Sequence, residues 1–197
     1  MSPEELVRRC QQARPGDMRA FEQLVAAYKT QVLRTAYRLM RNREDAEDLA
    51  QEVFLKVYRG IRTLDDPAAV TGWIHRITVN LCLDTLAKQK RRPSTALSAL
   101  ANGDGDEDAR LADTTQAAPE EAVVHDELRR CIEAVLAQLG AVERVVLVLR
   151  DLEDRSYQEI ADILKAGLSA TKMRIHRARL TFQQVFERLC PGLWTLD

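Results

Sequence analysis

SYQEIADILKAGLSATKMRIHRARLTFQQVF, residues 156–186, is the stretch on which the fold turns. Ser156 followed three residues later by Glu159 forms a capping box, which predicts a helix start at that point. Ile160, Ala161 and Leu164 then give a short helix one apolar face. Lys165-Ala166-Gly167 interrupts it, glycine being the residue that best tolerates a left-handed turn. In the next segment Thr171, Ile175, Ala178, Phe182 and Val185 recur three and four apart, the buried stripe of a second helix. At about 100° per residue, the opposite face carries Ser169, Met173, His176 and Arg177. Lys172 and Arg179 lie on one flank of that face and Arg174 on the other. The pattern predicts a helix-turn-helix whose second helix enters the major groove.

A plain helical hairpin with a solvated basic face uses the same residue types. Five signals coincide here: a capping box, a glycine break, a short first helix, an uninterrupted apolar stripe, and cations gathered opposite it. Their combination favours DNA binding.

Working outward, the rest of the chain is also helical in character. Only 5% of residues are aromatic, while Leu, Ala, Arg and Glu dominate, which argues against a sheet. With 29 basic and 30 acidic residues, affinity for nucleic acid must come from local clusters rather than overall field. Cys10, Cys82, Cys131 and Cys190 lie far apart without metal-ligand spacing, and are expected to be reduced thiols rather than disulfides or a zinc site. No apolar run approaches the roughly 18 residues that span a bilayer, and no signal peptide opens the chain. A cytoplasmic protein with no membrane insertion is expected.

In the N-terminal half, Ser2, Pro3 and Glu5 open a first helix over residues 2–13, ended by Arg14-Pro15-Gly16, and Asp17 caps the next. From Met18 to Met40, residues Phe21, Leu24, Val25, Tyr28, Val32, Ala36 and Leu39 keep a helical period. A third helix is expected from about Glu44 to Gly60, with Ala46, Leu49, Val53, Val57 and Ile61 inward and Asp45, Asp48, Gln51 and Glu52 outward. Asp65-Asp66-Pro67 breaks the pattern. Residues 69–91 form a fourth helix with Trp73, Ile74, Ile77 and Leu81 inward. It ends in Lys88-Gln89-Lys90-Arg91-Arg92, cations that suit either the helix dipole or DNA phosphates.

Beyond Pro93 the composition shifts. Residues 93–119 are rich in Ser, Thr, Ala, Gly and Asp and short of large apolar side chains, a flexible acidic linker. Two small helical domains are therefore expected, over 1–92 and 120–190, in an all-α fold. In the second, Pro119, Glu120 and Glu121 open a helix carrying Val123, Leu128, Ile132, Val135 and Leu139. After Gly140, ERVVLVLRDLEDR reads as a strongly apolar helix leading into the helix-turn-helix.

Taken together, DAEDLAQEVFLKVYRG (45–60), GWIHRITVNLCLDTLAKQKRR (72–92), ERVVLVLRDLEDRSYQEIADIL (143–164) and ATKMRIHRAR (170–179) resemble the extracytoplasmic-function group of bacterial sigma factors. That group keeps only the second and fourth conserved sigma domains. The resemblance covers nearly the whole chain apart from the linker and the ends.

The resemblance implies a sigma factor that brings core RNA polymerase to promoter DNA. Asp48, Leu49, Gln51 and Glu52 would dock on the clamp helices of the largest subunit, with the β flap as a further contact of the enzyme. An acidic helix face with one exposed apolar residue suits a basic coiled coil. Trp73, Arg76 and Asn80 would lie at the −10 element, and the loop Thr63 to Thr71 would receive a flipped base. Lys88, Lys90, Arg91 and Arg92 would hold the DNA backbone. Taken alone, Trp73 reads as core rather than as a stacking platform; strand opening does need unpaired bases captured on such surfaces. Lys172, Met173, His176 and Arg177 would read the −35 duplex, with Arg174 and Arg179 on phosphates. Where the group often has Gly-Thr-Val-Lys-Ser-Arg, this chain has Ser169-Ala170-Thr171-Lys172-Met173-Arg174, so base preference does not transfer. The acidic linker would lie in positive channels of the polymerase, and an anti-sigma factor would hold the chain inactive.

Enzymatic readings find no support. His75, His125 and His176 have no triad or metal spacing, no glycine loop cradles phosphate, and no cofactor is expected. Two rivals use the same residues: an autonomous helix-turn-helix regulator with an N-terminal interaction bundle, and an interaction protein whose basic helices meet an acidic partner.

Overall fold

Several helix starts fall where a side chain can take up the free backbone N–H groups of a first turn. The computed structural model describes residues 2–14, 16–91 and 119–193, with side chains other than those of 90, 91 and 119–125. Helix α1 spans Pro3–Gln12, and Ser2 Oγ accepts from the Glu5 N–H at 3.2 Å. Helix α2 spans Arg19–Met40; Asp17 Oδ1 accepts from the Arg19 N–H at 3.2 Å. It ends on Arg41, a left-handed residue at φ 61°. Helix α3, Arg43–Gly60, is capped by Asn42, whose side chain accepts from the Asp45 N–H at 2.9 Å. Two 3₁₀ turns, Ile61–Thr63 and Pro67–Ala69, lead into α4, Val70–Arg91. In the C-terminal half α5 covers Pro119–Gln138 and α6 Ala141–Leu147. Helices α7, Tyr157–Leu164, and α8, Leu168–Leu189, complete the chain. Among the described residues no strand occurs, as the all-α expectation requires.

The expected single helix over ERVVLVLRDLEDR departs from α geometry. After Leu147 the backbone widens into a π turn over Val148–Leu152, and Asp154 takes φ 52°. This turn keeps Val148 and Leu149 in the core while it delivers Glu153 to the N-terminal half.

Helices α1 to α4 pack as a bundle around Leu24, Leu39, Val53, Val57 and Ile74, all at most 2% exposed. The same apolar core continues into the C-terminal half through Val145, Val146, Leu149, Ile160 and Ile175. Helix α4 is held between its own bundle and the pair α6 and α7. The linker expected over 93–119 lies outside the described residues except for Pro119, which begins α5.

Polar contacts reinforce this seam. Arg144, 8% exposed, donates to the Leu39 carbonyl at 2.8 Å and to those of Leu136 and Ala137 at 2.8 and 3.0 Å. These carbonyls stand in the last turns of α2 and α5, where the regular helical donors run out; that of Leu136 also accepts from the Leu139 N–H at 3.3 Å. Arg41 donates to Glu133 at 2.8 Å. The Glu153 carboxylate, whose side chain is 9% exposed, accepts from Thr35 Oγ1 at 2.7 Å and meets His75 Nε2 at 2.7 Å. Burial alone would raise the Glu153 pKa. The hydrogen bonds from His75 and Thr35, with the nearby charges of His75 and Arg38, outweigh it and hold the carboxyl below its ordinary range.

A smaller apolar cluster of Cys131, Val135 and Phe186 joins α5 to the end of α8. Here the expectation of four separate thiols is corrected: Cys131 and Cys190 are joined as a disulfide, with Cα atoms 6.3 Å apart. The two helices run side by side, which the 59-residue sequence separation conceals. Cys10 and Cys82 are free and buried.

Candidate nucleic-acid interface

The capping box is present in both directions: the Glu159 N–H donates to Ser156 Oγ at 3.2 Å, and the Ser156 N–H donates to Glu159 Oε2 at 2.8 Å. These bonds hold the Glu159 carboxyl below its ordinary range. The turn differs from expectation. Lys165, not Gly167, is left-handed at φ 49° and ψ 45°. Gly167 is extended, at φ −68° and ψ 148°, and serves as the N-cap of α8. The helix can end on Lys165 because the Ala166 N–H reaches back to the Ala161 carbonyl at 2.9 Å.

Thr171, Ile175, Ala178 and Phe186 are buried, and Phe182 and Val185 are half-buried, so the predicted stripe faces inward. Outward, Ser169, Lys172, Met173, Arg174, His176, Arg177 and Arg179 are all exposed. Arg174, His176 and Arg177 present their side chains to solvent without an ion pair among the described residues. Arg179 is different: its guanidinium is paired in two places with Asp151 of the π turn, which strengthens its hold on the proton. Lys172 stands over the Tyr157 ring, 5.8 Å from its centroid, and Arg150 lies at 4.8 Å. The sequence reading missed Arg150, Asp151 and Tyr157, which support the basic face from a neighbouring element.

On α3, Asp48, Gln51 and Glu52 are exposed, and Glu52 pairs loosely with Lys56 at 3.7 Å. Leu49 departs from the expected contact surface. It is 5% exposed and belongs to the core, because it lies on the inner stripe with Ala46 and Val53. The apolar residues that α3 does present to solvent are Leu55, 56% exposed, and Tyr58, 45% exposed.

On α4, Arg76 and Lys88 are exposed while Trp73 and Asn80 are half-buried. Trp73 lies across the end of α3 so closely that a Cβ built on Gly60 would stand 2.8 Å from Trp73 Cζ2. The indole therefore has a packing role, with part of its surface still accessible. The side chains of Lys90 and Arg91, and Arg92 entirely, lie outside the described residues. The segment expected as a loop, Thr63 to Thr71, holds the end of the first 3₁₀ turn, the whole of the second and the start of α4. Asp66 Oδ1 accepts from the Ala68 N–H at 2.9 Å, and Tyr28 OH bonds Thr71 Oγ1 at 2.8 Å. Gln11 donates to the carbonyls of Ile61 and Leu64, tying the segment to α1. Among the described residues, no group of three or more His, Cys, Asp or Glu could hold a metal ion. No helix among them is long and apolar enough to cross a membrane.

A capped helix-turn-helix whose outer face carries Arg174, His176 and Arg177 free of ion pairs among the described residues has the form of a DNA-binding module, here built onto a second helical bundle. Residues 24–92 match the Sigma-70 region 2 family and residues 129–182 the Sigma-70 region 4 family. The chain is 34% identical to the ECF RNA polymerase sigma factor SigW of Bacillus subtilis, over 87% of this chain and 91% of that protein. It is 31% identical to the RNA polymerase sigma-H factor of Pseudomonas aeruginosa, over 94% of each. The chain belongs to the extracytoplasmic-function family of RNA polymerase sigma factors. Among solved structures, CnrH in complex with the cytosolic domain of CnrY matches with a TM-score of 0.62 and 24% identity, covering 94% of this chain and 97% of that one. RpoE in complex with the anti-sigma factor NepR from Bartonella quintana matches with a TM-score of 0.58 and 19% identity, over 85% and 96% of the two chains. At these identities the likeness is one of fold.

Proposed function

We propose that this sigma factor divides promoter recognition between its two halves, 1–92 and 120–190. Residues of α8 read the −35 duplex, α4 and the turns before it engage the −10 element, and the outer face of α3 docks on core polymerase. The observation that carries this reading is the unpaired basic face of Arg174, His176 and Arg177 on a capped helix-turn-helix, in a chain whose α3 offers exposed Asp48, Gln51 and Glu52. Base contacts fall to Met173, His176 and Arg177, with Lys172 and Arg174 beside them. Arg179 joins the phosphates only after leaving Asp151.

At the −10 element Arg76 and Lys88 stand ready as exposed cations, and Asn80 and the accessible edge of Trp73 face unpaired bases. Lys90, Arg91 and Arg92, next in the sequence, add positive charge for the DNA backbone. Leu55 and Tyr58 replace Leu49 as the apolar part of the clamp-helix contact, and the C-terminal half meets the β flap. An anti-sigma factor holds the chain in its closed arrangement; one chain of like fold, RpoE, was solved with the anti-sigma factor NepR. The protein performs no catalysis of its own and works in the cytoplasm.

The experiment is a pull-down with core polymerase alongside band shifts on promoter duplex. Capture by polymerase, with tight DNA binding only in its presence, is expected. Tight operator binding by the free chain and no capture would instead establish an autonomous regulator.

A further inference from the structure

The reading above leaves the cysteines unused, and they fall into two kinds. Cys10 and Cys82 are sealed in the main core, 5% and 0% exposed, where burial drives the thiol pKa up, that of Cys82 to about 12. Neither has a partner sulfur. A thiol so hard to ionise is a poor nucleophile. Cys131 and Cys190 sit elsewhere, in the small cluster with Val135 and Phe186 that packs α5 against the last turn of α8. Their Cα separation of 6.3 Å falls inside the range a disulfide spans without moving the backbone. Cys131 is buried, whereas Cys190 is half-exposed at the C-terminal end of α8.

Sequence position adds to this. The bond joins positions 131 and 190, 59 apart in sequence, and the loop it closes encloses α6, the π turn, α7 and α8. The entire DNA-reading unit lies within the covalent ring. A sigma factor works beside the chromosome, where thiol pools keep most cysteines reduced, so a bond here forms under oxidant and reverses afterwards. That compartment is the one point at which this inference rests on the proposed function.

We propose that Cys131 and Cys190 form a reversible thiol–disulfide site that staples the recognition helix α8 to α5 when the protein meets a low-molecular-weight disulfide oxidant. The accessible Cys190 thiolate attacks one sulfur of the reagent; the reagent's S–S bond breaks and one thiolate leaves. The Cys131 thiolate then attacks Cys190 Sγ in the mixed disulfide and expels the second reagent thiolate. Two protein thiols are oxidised to one disulfide, one reagent disulfide is reduced to two thiols, and the two protons released by the protein go to the leaving thiolates.

The test uses the purified full-length chain equilibrated in mixtures of reduced and oxidised glutathione, then unfolded, alkylated and weighed. Of four cysteines, the reduced chain takes four labels and the oxidised chain two, with Cys131 and Cys190 the protected pair by peptide mapping. Returning the sample to excess reduced glutathione restores four labels. Cys190→Ser takes three labels under every mixture. The melting temperature of the wild type rises on oxidation by on the order of 10 °C, and that of Cys190→Ser does not. Four labels throughout, protection persisting in Cys190→Ser, or a bond that excess glutathione fails to open would each overturn the proposal. None of these readouts requires polymerase or promoter, so a failed pull-down leaves the result standing.

Discussion

His75 Nε2 on α4 lies 2.7 Å from Glu153 Oε2, at the threshold of the helix-turn-helix, in a pocket where their side chains are 3% and 9% exposed. Across a sequence gap of 78 residues, this pair binds α4 to the segment that leads into the helix-turn-helix. Thr35 supplies a second donor to the same carboxylate, and Arg38 stands 3.9 Å away.

Replacing Glu153 with Ala leaves His75 and Thr35 buried without their acceptor. The expected loss of stability is about 2–4 kcal/mol, measured by urea unfolding. A fluorescent pair placed on α2 and α7 should also report a larger separation of the two halves. Unchanged stability together with unchanged separation would show that this contact does not hold the seam.

The seam should weaken in acid. The Glu153 carboxyl is held below its ordinary value of 4.5, so its contribution is complete above that pH and fades as pH falls through the lower folded-state value. Glu153→Gln removes this dependence. Difference unfolding curves of the two proteins between pH 7 and pH 3 should therefore converge toward the acid end; parallel curves would contradict the assignment.

Along this chain, local signals carried a long way and distant ones did not. The Ser156–Glu159 box and the Thr171, Ile175, Ala178 stripe depend on neighbours three and four residues apart, so their reading matched the structure. The left-handed turn went to Gly167 on glycine's conformational freedom, yet hydrogen bonds from the end of α7 place it at Lys165. Leu49 answered to two patterns, an inner stripe and a motif; burial assigns it to the first. Nothing local announces that Arg144 will cap α2 at Leu39, 105 residues earlier, that Asp151 will hold Arg179, or that Cys190 will meet Cys131. Such pairs depend on how helices stack after they form.

Arg177 and Arg179 should separate in DNA binding, although both are arginines on one helix. Arg177→Ala should cost roughly 1–3 kcal/mol in −35 affinity of the holoenzyme. Arg179→Ala should cost less, because its guanidinium must first give up Asp151. Fluorescence anisotropy on a −35 duplex would settle the order; equal losses would place Arg179 directly on the DNA.

Charge reversal at Asp48 and Glu52 should impair capture by core polymerase while the melting temperature stays near wild type, since both are exposed. Leu49→Ala should do the reverse in stability, losing about 2–5 kcal/mol from the core. Polymerase capture with the reversed charges at wild-type strength would remove α3 from the interface.

One chain should supply core polymerase with both promoter contacts and strand opening. Transcription in vitro from genomic fragments, with core enzyme alone and with the added protein, tests it directly. Discrete new start points, each preceded by shared −35 and −10 sequences and lost with Arg177→Ala, are the predicted result. Core enzyme that gains no start point from the protein on any fragment would contradict it.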